Sequence, residues 1–104
     1  MRQKILNLLG LAKRAGYIVG GTDSVIFEMR KKRAKIVFVA NDSSEKTIDN
    51  FKRKCYFYNV ECNFDYSSDE LSHAIGQNRK IICLNDQGIY KAIQKYLRGD
   101  MNES

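Results

Sequence analysis

Histidine occurs once in the chain, at position 73, and the three cysteines, Cys55, Cys62 and Cys83, form no C-x-x-C pair. A structural zinc centre needs several thiolate or imidazole ligands at workable spacing, and a disulfide framework needs an even number of cysteines. Both are excluded, and the thiols are expected to be reduced and mostly buried. No apolar run approaches the roughly 20 residues that cross a bilayer, and Met1 to Lys4 lead directly into an amphipathic pattern without a cleavage-type small-residue site. A soluble, cytoplasmic protein without a membrane partner is the expectation. Gly20 and Gly21 precede a helical pattern, but no G-x-G-x-x-G fingerprint or P-loop lysine accompanies them, so a nucleotide-binding loop would rest on two glycines alone. No serine or cysteine is tied to His73 by a local signature, and this histidine reads as a surface or half-buried residue. The chain is expected to catalyse nothing, to hold no metal or cofactor and to take no small-molecule substrate.

With 104 residues, 43% of them apolar, the chain has the size of one domain and enough side chains to fill one core. Residues 1–99 are read as that domain and 100–104 as a flexible tail. Eighteen Lys and Arg stand against twelve Asp and Glu, a net charge of +6, and the excess is uneven. Residues 1–54 carry 13 basic and 5 acidic side chains, whereas residues 55–104 carry 5 and 7. A basic face that favours polyanions follows, with a lysine-rich solvated surface as the alternative on charge alone. The densest cluster, Arg30 to Arg33, reads first as the solvated end of a helix.

Ile5, Leu8, Leu9 and Ala12 recur at helical spacing, and Lys13 and Arg14 suit the negative end of a helix that stops before Gly16. The pattern predicts a helix over about residues 3–15, then a short extended piece from Tyr17 to Val19. Val25, Ile26 and Met29 mark the buried face of a second helix, leaving Phe27 exposed beside it. Ile36 to Ala40 is uninterruptedly apolar, as in a central strand covered on both faces. Asp42 and Glu45 have capping-box spacing ahead of a third helix with Ile48, Phe51, Cys55 and Tyr58 inside. Val60, Cys62 and Phe64 alternate with polar residues, as an edge strand would. Ser67 and Glu70 repeat the capping box before a short helix ended by Gly76, Ile81 to Leu84 forms another buried strand, and Asp86 caps a last helix. The alternation predicts an α/β fold, a three-layer α/β/α sandwich with a small mixed, mostly parallel four-stranded sheet.

The glycine pair leaves a helix start with free backbone N–H groups and little to obstruct a partner, a place that attracts phosphates and polar base edges. An ordinary tight connection is the alternative. From Gly20-Gly21-Thr22-Asp23-Ser24-Val25 through Arg33-Ala34-Lys35-Ile36-Val37-Phe38-Val39-Ala40-Asn41-Asp42, however, the chain resembles the superfamily of kink-turn-binding ribosomal proteins that includes archaeal ribosomal protein L-seven-Ae. Leu8 to Gly16, Lys54 to Val60 and Asp69 to Gly76 are similar to its bacterial YlxQ branch, and the likeness runs over about residues 5–97.

The resemblance implies non-catalytic binding of structured RNA, a kink-turn in ribosomal or ribosome-associated RNA, through three pieces: Gly21 to Ser24, Asn41 to Ser43 and Gly76 to Lys80. Within them Gly21 and Thr22 let the backbone approach and Asp23 and Ser24 accept from guanine edges. Asn41 and Asp42 supply the second piece. Gln77 and Asn78 meet a projecting nucleotide, and Arg79, with Lys31 and Lys35, holds phosphates. Where the best-known RNA binders of the superfamily carry Asn-Glu and a lysine three residues later, this chain has Asp23-Ser24 and Phe27, either a ring on which a base can stack or a loosely covered surface aromatic. Lys31, one turn on, restores part of the charge. Gly21→Val is expected to damage RNA binding far more than folding. The rival reading is a protein-interaction module on the same fold that has lost RNA contact.

Overall fold

The structure, a computed structural model, describes residues 2–99. The tail expected over 100–104 lies outside the described residues. Its elements are α1 (Arg2–Arg14), β1 (Ile18–Gly20), α2 (Thr22–Arg30), β2 (Ile36–Val39), α3 (Glu45–Tyr58), β3 (Glu61–Asn63), α4 (Ser68–Ile75), β4 (Ile81–Leu84) and α5 (Gln87–Leu97).

Successive side chains of a strand point to opposite faces of its sheet, and in β2 and β4 all of them are buried. Ile36, Phe38, Ile82 and Leu84 pack with Leu9 of α1, Leu71 of α4 and Ile93 of α5. Val37, Val39, Ile81 and Cys83 pack with Val25 and Met29 of α2 and Phe51 and Cys55 of α3. Two apolar layers on a sheet covered from both sides make the α/β/α sandwich that the alternating pattern predicts.

The sheet runs β1-β4-β2-β3. It is mixed, as expected, but only β2 and β3 pair in parallel, whereas β4 is antiparallel to both β1 and β2. β1, β2 and β3, joined in turn through α2 and α3, all run in one direction, but β4, although joined to β3 through the single helix α4, runs against them. The loop before β4 turns the chain back, and β4 slots in the opposite sense between β1 and β2. That insertion replaces the mostly parallel sheet of the sequence reading with two antiparallel ladders and one parallel one.

Local capping chemistry behaves as read at α4 and α5. Ser67 Oγ accepts from Glu70 N–H while Glu70 Oε1 accepts from Ser67 N–H, closing the capping box. Asp86 Oδ2 accepts from Ile89 N–H at 2.9 Å, and Gly76 takes the left-handed conformation that ends α4. Asp42 is a correction. The N-cap of α3 is Ser44, whose Oγ accepts from Thr47 N–H, and Asp42 instead accepts from the N–H of Ser68 at 2.9 Å and its hydroxyl at 2.7 Å. A carboxylate is stabilised at the positive start of a helix, and the fold gives Asp42 to α4 rather than α3.

β3 is an edge strand, shorter than the alternation suggested, and its buried residue is Asn63. The Asn63 amide is satisfied within its own turn, accepting from Asp65 N–H and donating to the Asp65 carboxylate. Cys55 and Cys83 are buried and Cys62 half-buried, all unbridged. Burial pushes the Cys83 thiol up to about 12, so it stays protonated.

Glu28 is a buried carboxylate on the far flank of α2. It accepts two bonds from Arg33, at 2.8 and 2.9 Å, and a third from the Asn85 amide at 2.8 Å. The Arg33 hydrogen bonds chiefly hold Glu28 below the usual glutamate range. Asp42 is lowered by Ser68 and Glu70 by Arg2. A carboxylate whose folded value is depressed contributes stability that is present above its unfolded value and lost as pH falls through the folded one. The melting temperature should therefore drop as pH falls below the ordinary glutamate value of 4.5. Glu28→Gln should lower the neutral melting temperature and flatten that acid limb. A wild-type melting temperature unchanged between neutral and strongly acid pH would refute this assignment.

Candidate functional site

Three loops meet at one end of the sheet because of where the strands begin and stop. β1 and β2 end there and β4 begins there, with Gly20 opposite Ile82 and Val39 opposite Ile81. The Gly21 N–H donates to Ile81 O at 2.9 Å and the Ala40 N–H donates to Lys80 O at 2.8 Å. The loop 76–80 is thus clasped between the start of α2 and the turn after β2.

Gly21 is the N-cap of α2, with φ 101° and ψ 147°, and supplies no side-chain acceptor to the first turn. The N–H groups of that turn have no intrahelical partner, so the positive end of α2 opens outward. Thr22, Asp23 and Ser24 are exposed there, with no hydrogen-bonded side-chain partner. Their hydroxyl and carboxylate oxygens are available as acceptors.

Arg79 was singled out by sequence, but its seat was not. Its backbone is pinned to α4: Ser72 Oγ accepts from Arg79 N–H at 2.9 Å and donates to Arg79 O at 3.0 Å. Its side chain lies across Gly20, where a Cβ would come within 2.9 Å of Cδ and Nε. Gly20 therefore admits the arginine stem and brings a guanidinium beside the start of α2, two positive features side by side. Neighbouring Gln77 and Asn78 are exposed, and Lys13 Nζ donates to Gln77 Oε1 at 2.9 Å. Lys13 and Gly20 are the positions that sequence reasoning left out of the site. The only trace of either is a small residue at a strand end and a basic last turn of α1.

Asn41 is exposed in the turn after β2, its N–H donating to Tyr66 O. Asp42 shares that turn, but its carboxylate is engaged by Ser68. The structure thus brings together Gly21, Thr22, Asp23 and Ser24 with Asn41 and Asp42 and with Gln77, Asn78 and Arg79.

The remaining sequence candidates stand apart from that cluster. Phe27 is 46% exposed, one turn along α2. Lys31, at the C-cap of the helix, places Nζ 5.4 Å from the Phe27 ring centre, and the Arg33 guanidinium lies 5.5 Å from it. The ring gathers two cations on the outer side of α2. Lys35 lies at the opposite end of the sheet, its N–H bonded to Leu84 O just before β2 begins. It therefore stands apart from the loops that follow the other end of the same strand.

His73 is exposed on α4. Among the described residues no group of three or more His, Cys, Asp or Glu could hold a metal ion, and no helix is long and apolar enough to cross a membrane.

Comparison with known proteins agrees with this architecture. A protein "RNA-binding protein YlxQ" from Enterococcus faecium is 42% identical over 98 residues, covering 94% of this chain and 95% of its own. A protein of the same name from Bacillus subtilis (strain 168) is 40% identical over 82 residues, covering 78% and 82%. Among solved structures, a protein of unknown function from Bacillus halodurans C superposes with a TM-score of 0.86 at 26% identity, over 91% of this chain and 97% of that one. The Giardia lamblia 15.5kD RNA binding protein shares the fold with a TM-score of 0.77 at 16% identity, over 97% and 87%. Residues 3–93 match the family described as the ribosomal protein L7Ae/L30e/S12e/Gadd45 family, and the chain belongs to that family, in its YlxQ branch.

Proposed function

We propose that the chain is a non-catalytic, cytoplasmic RNA-binding protein that grips a kink-turn in ribosomal or ribosome-associated RNA with the loop cluster at the end of the sheet. The observation that carries this reading is the seating of Arg79 on Gly20, beside the uncapped start of α2 and within the same loop cluster as Asn41. Both curated relatives are described by RNA binding and by no reaction. A bent RNA offers what plain duplex hides, exposed guanine edges and a projecting nucleotide. Guanine N–H groups meet Asp23 and Ser24 as acceptors, phosphates meet Arg79 and the helix start, and the projecting nucleotide meets Gln77 and Asn78.

Asp23 and Ser24 are exposed and unbonded, so replacing both with Ala leaves the fold intact. The double variant should lose most of its preference for kink-turn RNA over duplex, about 30-fold or more at roughly 1–3 kcal/mol per guanine-edge contact. Its affinity for duplex should stay level. Titrations of the two RNAs against wild type and variant check this, and an unaltered preference would remove Asp23 and Ser24 from the interface.

A further inference from the structure

We propose that the opposite end of the molecule, where α2 and α3 finish, is a second nucleic-acid contact that takes single-stranded RNA. Both helices cover the same face of the sheet. The chain leaves α2 through 31–35 into the start of β2, and leaves α3 into β3, whose first residue pairs with the first of β2. Their C-terminal ends therefore lie at one end of the sheet, away from the loop cluster. Lys31, Lys32 and Lys35 come from the first helix exit, and Arg53 and Lys54 from the second half of α3. The acids nearby are mostly engaged, Glu28 by Arg33 and Glu61 by the Tyr90 hydroxyl, which donates to it at 2.7 Å. Asp49 stands alone against Arg53 one turn later. The local excess of charge calls for a polyanion.

The second observation is aromatic. Tyr56 is 90% exposed and Phe57 77%, the two most exposed large apolar side chains described. Phe57 meets Tyr58 edge to face, with centroids 4.9 Å apart and planes at 85°, which fixes its ring while leaving it open to solvent. Arg53, Lys54 and Phe57 border a shallow groove of about 240 Å³. Rings beside cations on a backbone-tracking groove are what unpaired bases stack on. Bases inside a duplex are already stacked on both sides, so the partner is single-stranded. This surface does not depend on the kink-turn reading, because no residue of the loop cluster belongs to it.

The test uses the full chain and a fluorescently labelled uridine oligomer, which forms no kink-turn, read by anisotropy near physiological salt. Tyr56→Ala with Phe57→Ala should weaken oligomer binding about tenfold or more. Arg53→Gln with Lys54→Gln should lower the salt slope by roughly 0.7 for each lost phosphate contact. Asp23→Ala with Ser24→Ala should change neither, even if no kink-turn preference is found. The proposal is overturned if the wild type does not bind the oligomer, or if the aromatic pair can be removed without loss. Loss of oligomer binding in Arg79→Ala, with the aromatic variant unaffected, would assign it to the loop cluster instead. Concentration-dependent self-association that the aromatic substitutions abolish, with oligomer affinity unchanged, would make the patch a protein interface and likewise overturn it.

Discussion

Gly21→Val is expected to cost the fold about 3 kcal/mol, the upper part of the range for a residue forced into a backbone region that only glycine occupies freely. At φ 101° and ψ 147° a β-branched side chain is strained even though nothing lies within 4 Å of the position its Cβ would take. The backbone has little room to relax, because the Gly21 N–H is bonded to Ile81 O and the Gly21 carbonyl accepts from Val25 N–H. The sequence reading expected this substitution to damage RNA binding far more than folding. The conformation adds a large folding cost to that expectation, making Gly21 a structural residue. Gly20→Ala makes the contrast. Its backbone is ordinary strand, and the new methyl displaces only the flexible Arg79 stem, so stability should change little while RNA affinity falls. Chemical denaturation of both variants separates the two roles. A Gly21→Val protein as stable as wild type would show that the helix start can be rebuilt without glycine.

What sequence alone conveyed divides by range. Ser67 with Glu70, Asp86 and Gly76 were legible because a cap is made by side chains a few residues from the backbone groups they satisfy. Asp42 had the same local signal and misled, since its partner, Ser68, lies 26 residues away and no spacing rule reaches that far. The direction of β4 was hidden for a related reason: helical connections indicate layers, while strand order and sense depend on pairings between distant segments. At the site, the meeting of the three loops follows from β4 starting where β1 and β2 stop, which periodicity does not contain. The distance of Lys35 from those loops, by contrast, was legible. A residue just before β2 and a turn just after it occupy opposite ends of one strand. The exposure of Tyr56 and Phe57 was legible in principle, for both fall off the stripe of Phe51 and Cys55 that turns inward.

The seating of Arg79 on Gly20 and the unbonded acceptors at Asp23 and Ser24 predict shape-selective rather than merely electrostatic RNA binding. Charge alone gives a kink-turn RNA and an uninterrupted duplex of equal length equal affinity, and that shared attraction fades as salt rises. Contacts to guanine edges persist, and two of them at about 1–3 kcal/mol each amount to roughly 30-fold at the least, with 100-fold well inside the range. The decisive measurement is the affinity of the full chain for the two RNAs, followed across a series of salt concentrations. The account predicts that the kink-turn RNA binds about 100-fold tighter near physiological salt, that the gap holds as salt is raised, and that replacing the sheared G·A pairs closes it. Equal affinities for the two RNAs at every salt concentration would contradict it.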